Sequence, residues 1–138
     1  MTKHFRWIRI EMKTEKPRFN CGLDAALYVI GGKWKPLILY HLAHDKRRYG
    51  ALRRAVGAVS NKVLIQQLKE LESDTVITRQ DFQEVPPRVE YALTDFGRSL
   101  ARTLLPLCQW GEAYMNDVKA LAALHNDQAS ASPAVRAE

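Results

Sequence analysis

A mainly helical α+β fold is predicted by three features of this 138-residue chain. Short amphipathic stretches punctuated by Gly and Pro fill its first half. An alternating pattern at Val89, Tyr91 and Leu93 follows the pair Pro86-Pro87, and a heptad-like apolar stripe runs on after Thr94. The helical stretch before the hairpin pattern carries a basic outer face. Helix, hairpin and helix in that order predict a winged helix-turn-helix with a two-stranded β wing and a C-terminal dimerisation helix. One domain is expected over residues 20–124. It lies between a flexible basic tail over 1–19 and a flexible Ala- and Ser-rich tail over 125–138. The natural start is left open between Met1 and Met12, because the recognisable domain begins only near Cys21.

Asn20 is the expected N-cap of a first helix, with Leu23, Ala26, Leu27 and Ile30 at helical spacing on its inner face. Gly31 and Gly32 end it. Pro36 fits the first turn of a second helix that turns Leu37, Ile38, Leu42 and Ala43 inward and stops at Asp45-Lys46. A third, short helix over about 50–56 buries Leu52 and Val56 before Gly57. Ser60 then caps a fourth helix. Leu64, Leu68 and Leu71 face the core, which leaves Asn61, Lys62, Ile65, Gln66 and Lys69 on the opposite side.

That outer face has the chemistry to read a duplex. Asn and Gln can pair bidentately with adenine, Lys reaches guanine or phosphate, and Ile65 can meet a thymine methyl. In the hairpin, Pro86 and Pro87 stiffen the loop by fixing φ. Arg88 is placed near its tip, free for a phosphate or the minor groove. After Thr94, the N-cap of the last helix, Leu100, Leu104, Leu107, Gly111, Tyr114, Val118 and Leu121 form a heptad seam suited to a second copy of the chain. Pro106 is expected to kink that helix.

Charge favours the same reading. The net charge is +6, and between Lys33 and Lys69 nine basic residues face one acid, Asp45, a local balance of +8. Lys33, Lys35, Arg48, Ser60, Asn61, Lys62, Ile65, Gln66, Lys69 and Arg88 are therefore the candidate DNA contacts. No apolar run approaches the roughly 18 residues of a membrane span, and no signal peptide is evident, so a cytoplasmic protein is expected. Two cysteines, Cys21 and Cys108, are too few for a disulfide framework. The chain lacks a nucleophile with a base, paired carboxylates or a phosphate loop, which argues against an enzyme. His41 and His44 lack further ligands at metal-site spacing, and neither metal nor cofactor is expected.

Three sequence blocks resemble the HxlR-type winged helix-turn-helix regulators, relatives of the MarR-like proteins. They are Ile30-Gly31-Gly32-Lys33-Trp34 with Pro36-Leu37-Ile38-Leu39, then Ser60-Asn61-Lys62-Val63-Leu64 with Leu68 to Glu72. The third is Pro86 to Tyr91 with Leu93-Thr94 and Gly97. The resemblance spans about residues 21–112 and implies a homodimer on double-stranded DNA at a pseudo-palindromic operator. Four departures stand out. Tyr49 takes the place of the family's usual Phe, Ile65 that of a Thr, and Asp74-Thr75 that of Asp-Gly. Pro106 lies a few residues later than usual. Cys21 falls where several members carry a thiol that responds to oxidants or electrophiles, and a helix N-terminus with Arg18 upstream favours the thiolate. A redox or small-molecule effector is thus anticipated. The full expectation is a dimeric, sequence-specific DNA-binding repressor, since no stretch is left for a separate activation domain. The rival is a winged helix that binds protein or RNA without operator specificity. Salt dependence separates the two.

Overall fold

Cys21, one residue after the expected cap, starts the first helix of the computed structural model, which describes residues 17–131. Helix α1 spans Gly22–Ile30, and the Cys21 carbonyl accepts its first intrahelical bond from Ala25 N–H at 3.2 Å. The Asn20 N–H points forward to Asp24 Oδ2, 3.1 Å away. An acid in the first turn thus satisfies the backbone donor just before the cap residue. The inward face expected for α1 is not covered. Leu23 is 68% and Leu27 51% exposed, and no residue of α1 is buried.

Helix α2, Trp34–His44, holds Pro36 in its first turn and buries Ile38, Leu39 and Leu42. Leu39 thus takes the core position expected for Ala43, which is exposed. Two basic residues, Arg47–Arg48, form strand β1 before helix α3, Tyr49–Val56. Gly57 ends α3 at φ 101, a conformation that asks for glycine, and its N–H bonds Arg53 O at 3.0 Å. Helix α4, Asn61–Ser73, opens as expected on Ser60, whose Oγ accepts from Val63 N–H at 3.2 Å. Its Leu64, Leu68 and Leu71 are buried.

Strands β2, Ile77–Asp81, and β3, Val89–Leu93, make the wing, in antiparallel register from Ile77 opposite Leu93 to Asp81 opposite Val89. Tyr91 and Leu93 are buried as the alternation predicts. The sheet has a third strand beyond the two of the wing: β1 pairs with the other side of β3, Arg47 opposite Tyr91 and Arg48 opposite Glu90, giving the order β1-β3-β2. A two-residue basic strand has no alternation from which to be read.

The fold divides into two compact units, one through Arg102 and one from Thr103 onward, where a single domain was expected. The core of the first contains the fully buried Ile38, Leu39, Leu52, Leu64, Leu68, Leu71, Val76 and Ile77. Each such side chain contributes roughly 1.5 to 3 kcal/mol of hydrophobic stabilisation. The expected single last helix is two. Helix α5, Asp95–Ala113, continues past Pro106, and α6, Met115–Ala131, follows after Tyr114. The ladder bridges this residue, with Tyr114 N–H bonded to Trp110 O and Val118 N–H to Tyr114 O, each at 3.0 Å. Residues 125–131, expected as tail, are helical. The expected tails over 1–16 and 132–138, with Met1 and Met12, lie outside the described residues.

The end of α4 is fastened to the start of α5. Thr75 adopts φ 62, so Thr75 N–H reaches Glu72 O at 3.0 Å and Val76 N–H reaches Leu71 O at 2.9 Å. This is a Schellman motif with threonine at the left-handed position, and buried Val76 and Leu71 supply its apolar contact. Thr94 Oγ1 donates to the Thr75 and Val76 carbonyls and accepts from Gly97 N–H, capping α5 as predicted. A Cβ at Gly97 would collide with the Val76 carbonyl oxygen. Gly97→Ala is therefore expected to lower unfolding stability by about 3 kcal/mol. Thr75→Gly relieves the left-handed strain and is expected to raise it by about 1 kcal/mol. Denaturant melts of both variants measure these shifts, and an unstrained Thr75 would leave the second at zero.

Candidate nucleic-acid interface

Helix α4 has two unlike faces because its leucines recur every three to four residues while its polar residues fall between them. Opposite the buried stripe, Asn61, Lys62 and Ile65 are exposed, with Gln66 and Lys69 half-buried beside them. Ser60, also exposed, spends its hydroxyl on the cap. Asn61 is held from the neighbouring helix, since the Tyr49 hydroxyl donates to Asn61 Oδ1 at 2.6 Å. Burial pushes the Tyr49 phenol above its usual range, opposed by the nearby Arg53 cation, so the hydroxyl keeps its proton at neutral pH.

Exposed cations lie on the neighbouring elements. Lys33 lies exposed at the start of α2, its ammonium 4.9 Å from the centre of the Trp34 ring. Arg48 is exposed at the N-cap of α3. Lys46, Arg48 and Arg54 line one shallow depression with Gly50, Ala51 and Glu90, and Arg53 and Arg54 line another with Tyr49, Gly57 and Asn61. Lys46, Arg53 and Arg54 were counted in the charge run but not singled out as contacts. A third groove, about 530 Å³, runs between α4 and the wing, lined by Ile65, Lys69, Glu72, Arg79, Val89 and Tyr91 among others.

Two expected contacts are turned inward. Lys35 is only 7% exposed, and its ammonium pairs with Glu70 Oε1 at 2.6 Å, tying α2 to α4. Trp34 and Pro36 start α2 in such a way that residue 35 points into the core with Ile38, Leu39 and Leu42. Arg88 is not free at the wing tip. Its guanidinium stacks 3.6 Å over the Phe82 ring and pairs with Glu84 at 3.1 Å and Glu90 at 3.5 Å. Its Nε is buried without a hydrogen-bond partner. Arg88 and Glu90 are two apart in the sequence, so the carboxylate that captures the arginine was visible there.

In the second unit, Leu107, Tyr114, Val118 and Leu121 of the seam are exposed, with Leu105, Trp110, Met115 and Leu124. The Trp110 and Tyr114 rings lie 5.2 Å apart. Gly111 is half-buried with open space where a Cβ would stand. The seam does not extend unchanged to its first residues. Leu104 is 8% exposed within the single chain and Leu100 is half-buried, so neither offers the surface expected of it. Cys21 is an exposed free thiol, whereas Cys108 is half-buried with Sγ donating to Glu112 Oε1 at 3.4 Å. Among the described residues there is no cluster of three metal-ligating side chains, and no helix is long and apolar enough to cross a membrane.

The sequence matches the model of the HxlR-like helix-turn-helix family over residues 29–119. It is 49% identical over 104 residues to the HTH-type transcriptional regulator YtcD of Bacillus subtilis, covering 75% of this chain and 82% of that one. The solved structure of YtcD superposes with a TM-score of 0.63 over 70% of this chain and 98% of that one, at 48% identity. The redox regulator HypR in its reduced form superposes with a TM-score of 0.66 at 38% identity, over 72% of this chain and 99% of that one. Diamide-treated YodB from B. subtilis superposes at 0.57 and 28% identity, over 70% of this chain and 97% of that one.

Lys35 and Lys62 should separate the structural cation from the surface one. Lys35→Ala removes the buried ammonium that Glu70 meets and is expected to cost about 3 kcal/mol of stability. The salt dependence of DNA binding should be unaffected by it. Lys62→Ala should leave stability within about 0.5 kcal/mol of wild type. It should reduce the slope of log affinity against log salt by about 1. Thermal melts and a salt titration test both, and a flattened slope for Lys35→Ala would return that lysine to the interface.

Proposed function

The chain belongs to the HxlR-like helix-turn-helix family and is a transcriptional regulator, and on that premise we propose that it acts as a homodimeric, operator-specific repressor whose Cys21 senses oxidants or electrophiles. The observation that carries the DNA-binding part is the outer face of α4. It keeps Asn61, Lys62 and Ile65 in solvent while its leucines are buried, and Arg53 and Arg54 line a depression with Asn61. Its relatives are regulators, and it is not an enzyme. Each protomer presents one α4 to the major groove of one half-site of a pseudo-palindromic operator. Repression follows from occupying promoter DNA, a task performed in the cytoplasm. The wing approaches the flanking backbone as a stiff element, since Arg88 is spent on internal pairing.

Dimerisation is supported by exposed apolar side chains that a lone soluble chain would keep covered: Leu107, Trp110, Tyr114, Val118 and Leu121 in the second unit, and Leu23 and Leu27 on α1. The sensor reading is supported by an accessible thiol at a helix N-cap and by two relatives that are similar at 28 to 38% identity, the redox regulator HypR and a diamide-treated YodB.

The test is fluorescence anisotropy with a duplex from just upstream of the protein's own gene against a scrambled duplex. It is repeated at several salt concentrations, with a mild thiol oxidant, and with Cys21→Ser. Preference for the upstream duplex that weakens steeply with salt is expected, as phosphate contacts release counterions. Oxidant should abolish the preference in wild type and spare Cys21→Ser. Equal loss in both proteins would remove Cys21 as the sensor. Equal, salt-insensitive binding to both duplexes would remove the operator.

A further inference from the structure

Residue 49 carries a hydroxyl where a bare aromatic ring would serve packing. The Tyr49 ring is half-buried at the first position of α3, and its oxygen lies 2.6 Å from Oδ1 of Asn61, the first residue of α4. A protonated phenol donates, and a carboxamide oxygen accepts. Oδ1 is engaged from the α3 side, which orients the carboxamide of the exposed Asn61 and sets Nδ2, with its two N–H donors, at its opposite end. A carboxamide that reads adenine must donate to N7 and accept from N6 at once, whereas guanine offers two acceptors, N7 and O6.

We propose that Tyr49 is a specificity-setting positioning residue, whose hydroxyl holds the Asn61 amide donor-outward and so biases it toward guanine and against adenine. This deepens the operator reading and rests on it. The pairing expected from residue type alone, Asn with adenine, is thereby reversed at this position. In this role Tyr49 acts through Asn61, and removing only its oxygen leaves the ring and its packing in place.

Selection of bound sequences from a duplex pool randomised across the half-site tests this with the full-length wild type, Tyr49→Phe, Asn61→Ala and the double variant. Wild type should enrich guanine at one base pair, and that preference should vanish in Asn61→Ala. Tyr49→Phe should move the guanine-to-adenine ratio at the same pair toward adenine by about five-fold or more, leaving other positions unchanged. The double variant should match Asn61→Ala. A uniform loss of affinity in Tyr49→Phe with the base preference intact would make the hydroxyl a plain inter-helix tie and overturn the proposal. So would Asn61→Ala changing no base preference. If the wild type itself enriched no sequence, the operator reading would fall first, a result distinguishable from both.

Discussion

Burial of Leu64, Leu68 and Leu71 decides which way helix α4 faces, and the DNA-binding unit is organised around that choice. With that stripe on the core, Asn61, Lys62 and Ile65 are left outward. The Lys35–Glu70 ion pair, at 2.6 Å with side chains 9% and 15% exposed, ties α4 to α2. Its desolvation offsets much of its attraction. The ends of α4 are fixed by backbone chemistry, through the Ser60 cap at one end and the left-handed Thr75 turn at the other.

The wing follows from the same economy of pairing. Arg88 makes a cation–π contact with Phe82 and joins two carboxylates, which stiffens the loop between β2 and β3. A wing arginine neutralised in this way adds little to the field that attracts DNA. Exposed cations stand beside α4 on both neighbouring elements: Arg53 and Arg54 line a depression with Asn61, and Arg79 of the wing lines the groove with Ile65 and Lys69.

In the second unit, the exposed apolar residues of α5 and α6 carry the cost of remaining in water until something covers them. Helix α1 is in the same position within the first unit, with Leu23 and Leu27 exposed despite a periodicity that reads as a core face. Periodicity registers that an apolar face needs a partner. It is silent on whether that partner is the same chain or another.

What the sequence determined by itself was whatever local chemistry dictates. The α4 boundaries follow from Ser60 and the leucine spacing, the β3 face from the alternation of Val89, Tyr91 and Leu93, and the α5 cap from Thr94. The polar face of α4 was legible for the same reason, since helical periodicity alone separates it from the leucines. Only the tertiary structure decided which cations remain at the surface. Lys35 and Arg88 look like Lys62 and Arg48 in a charge count, yet the first two form ion pairs with Glu70, Glu84 and Glu90, whereas Lys62 and Arg48 are exposed. The short strand β1, the division at Arg102 and the Tyr49–Asn61 bond were likewise invisible, because each depends on residues brought together from separate elements. A side chain's charge and hydrogen-bonding capacity are written in its identity, whereas the group that consumes them is set by three-dimensional neighbours.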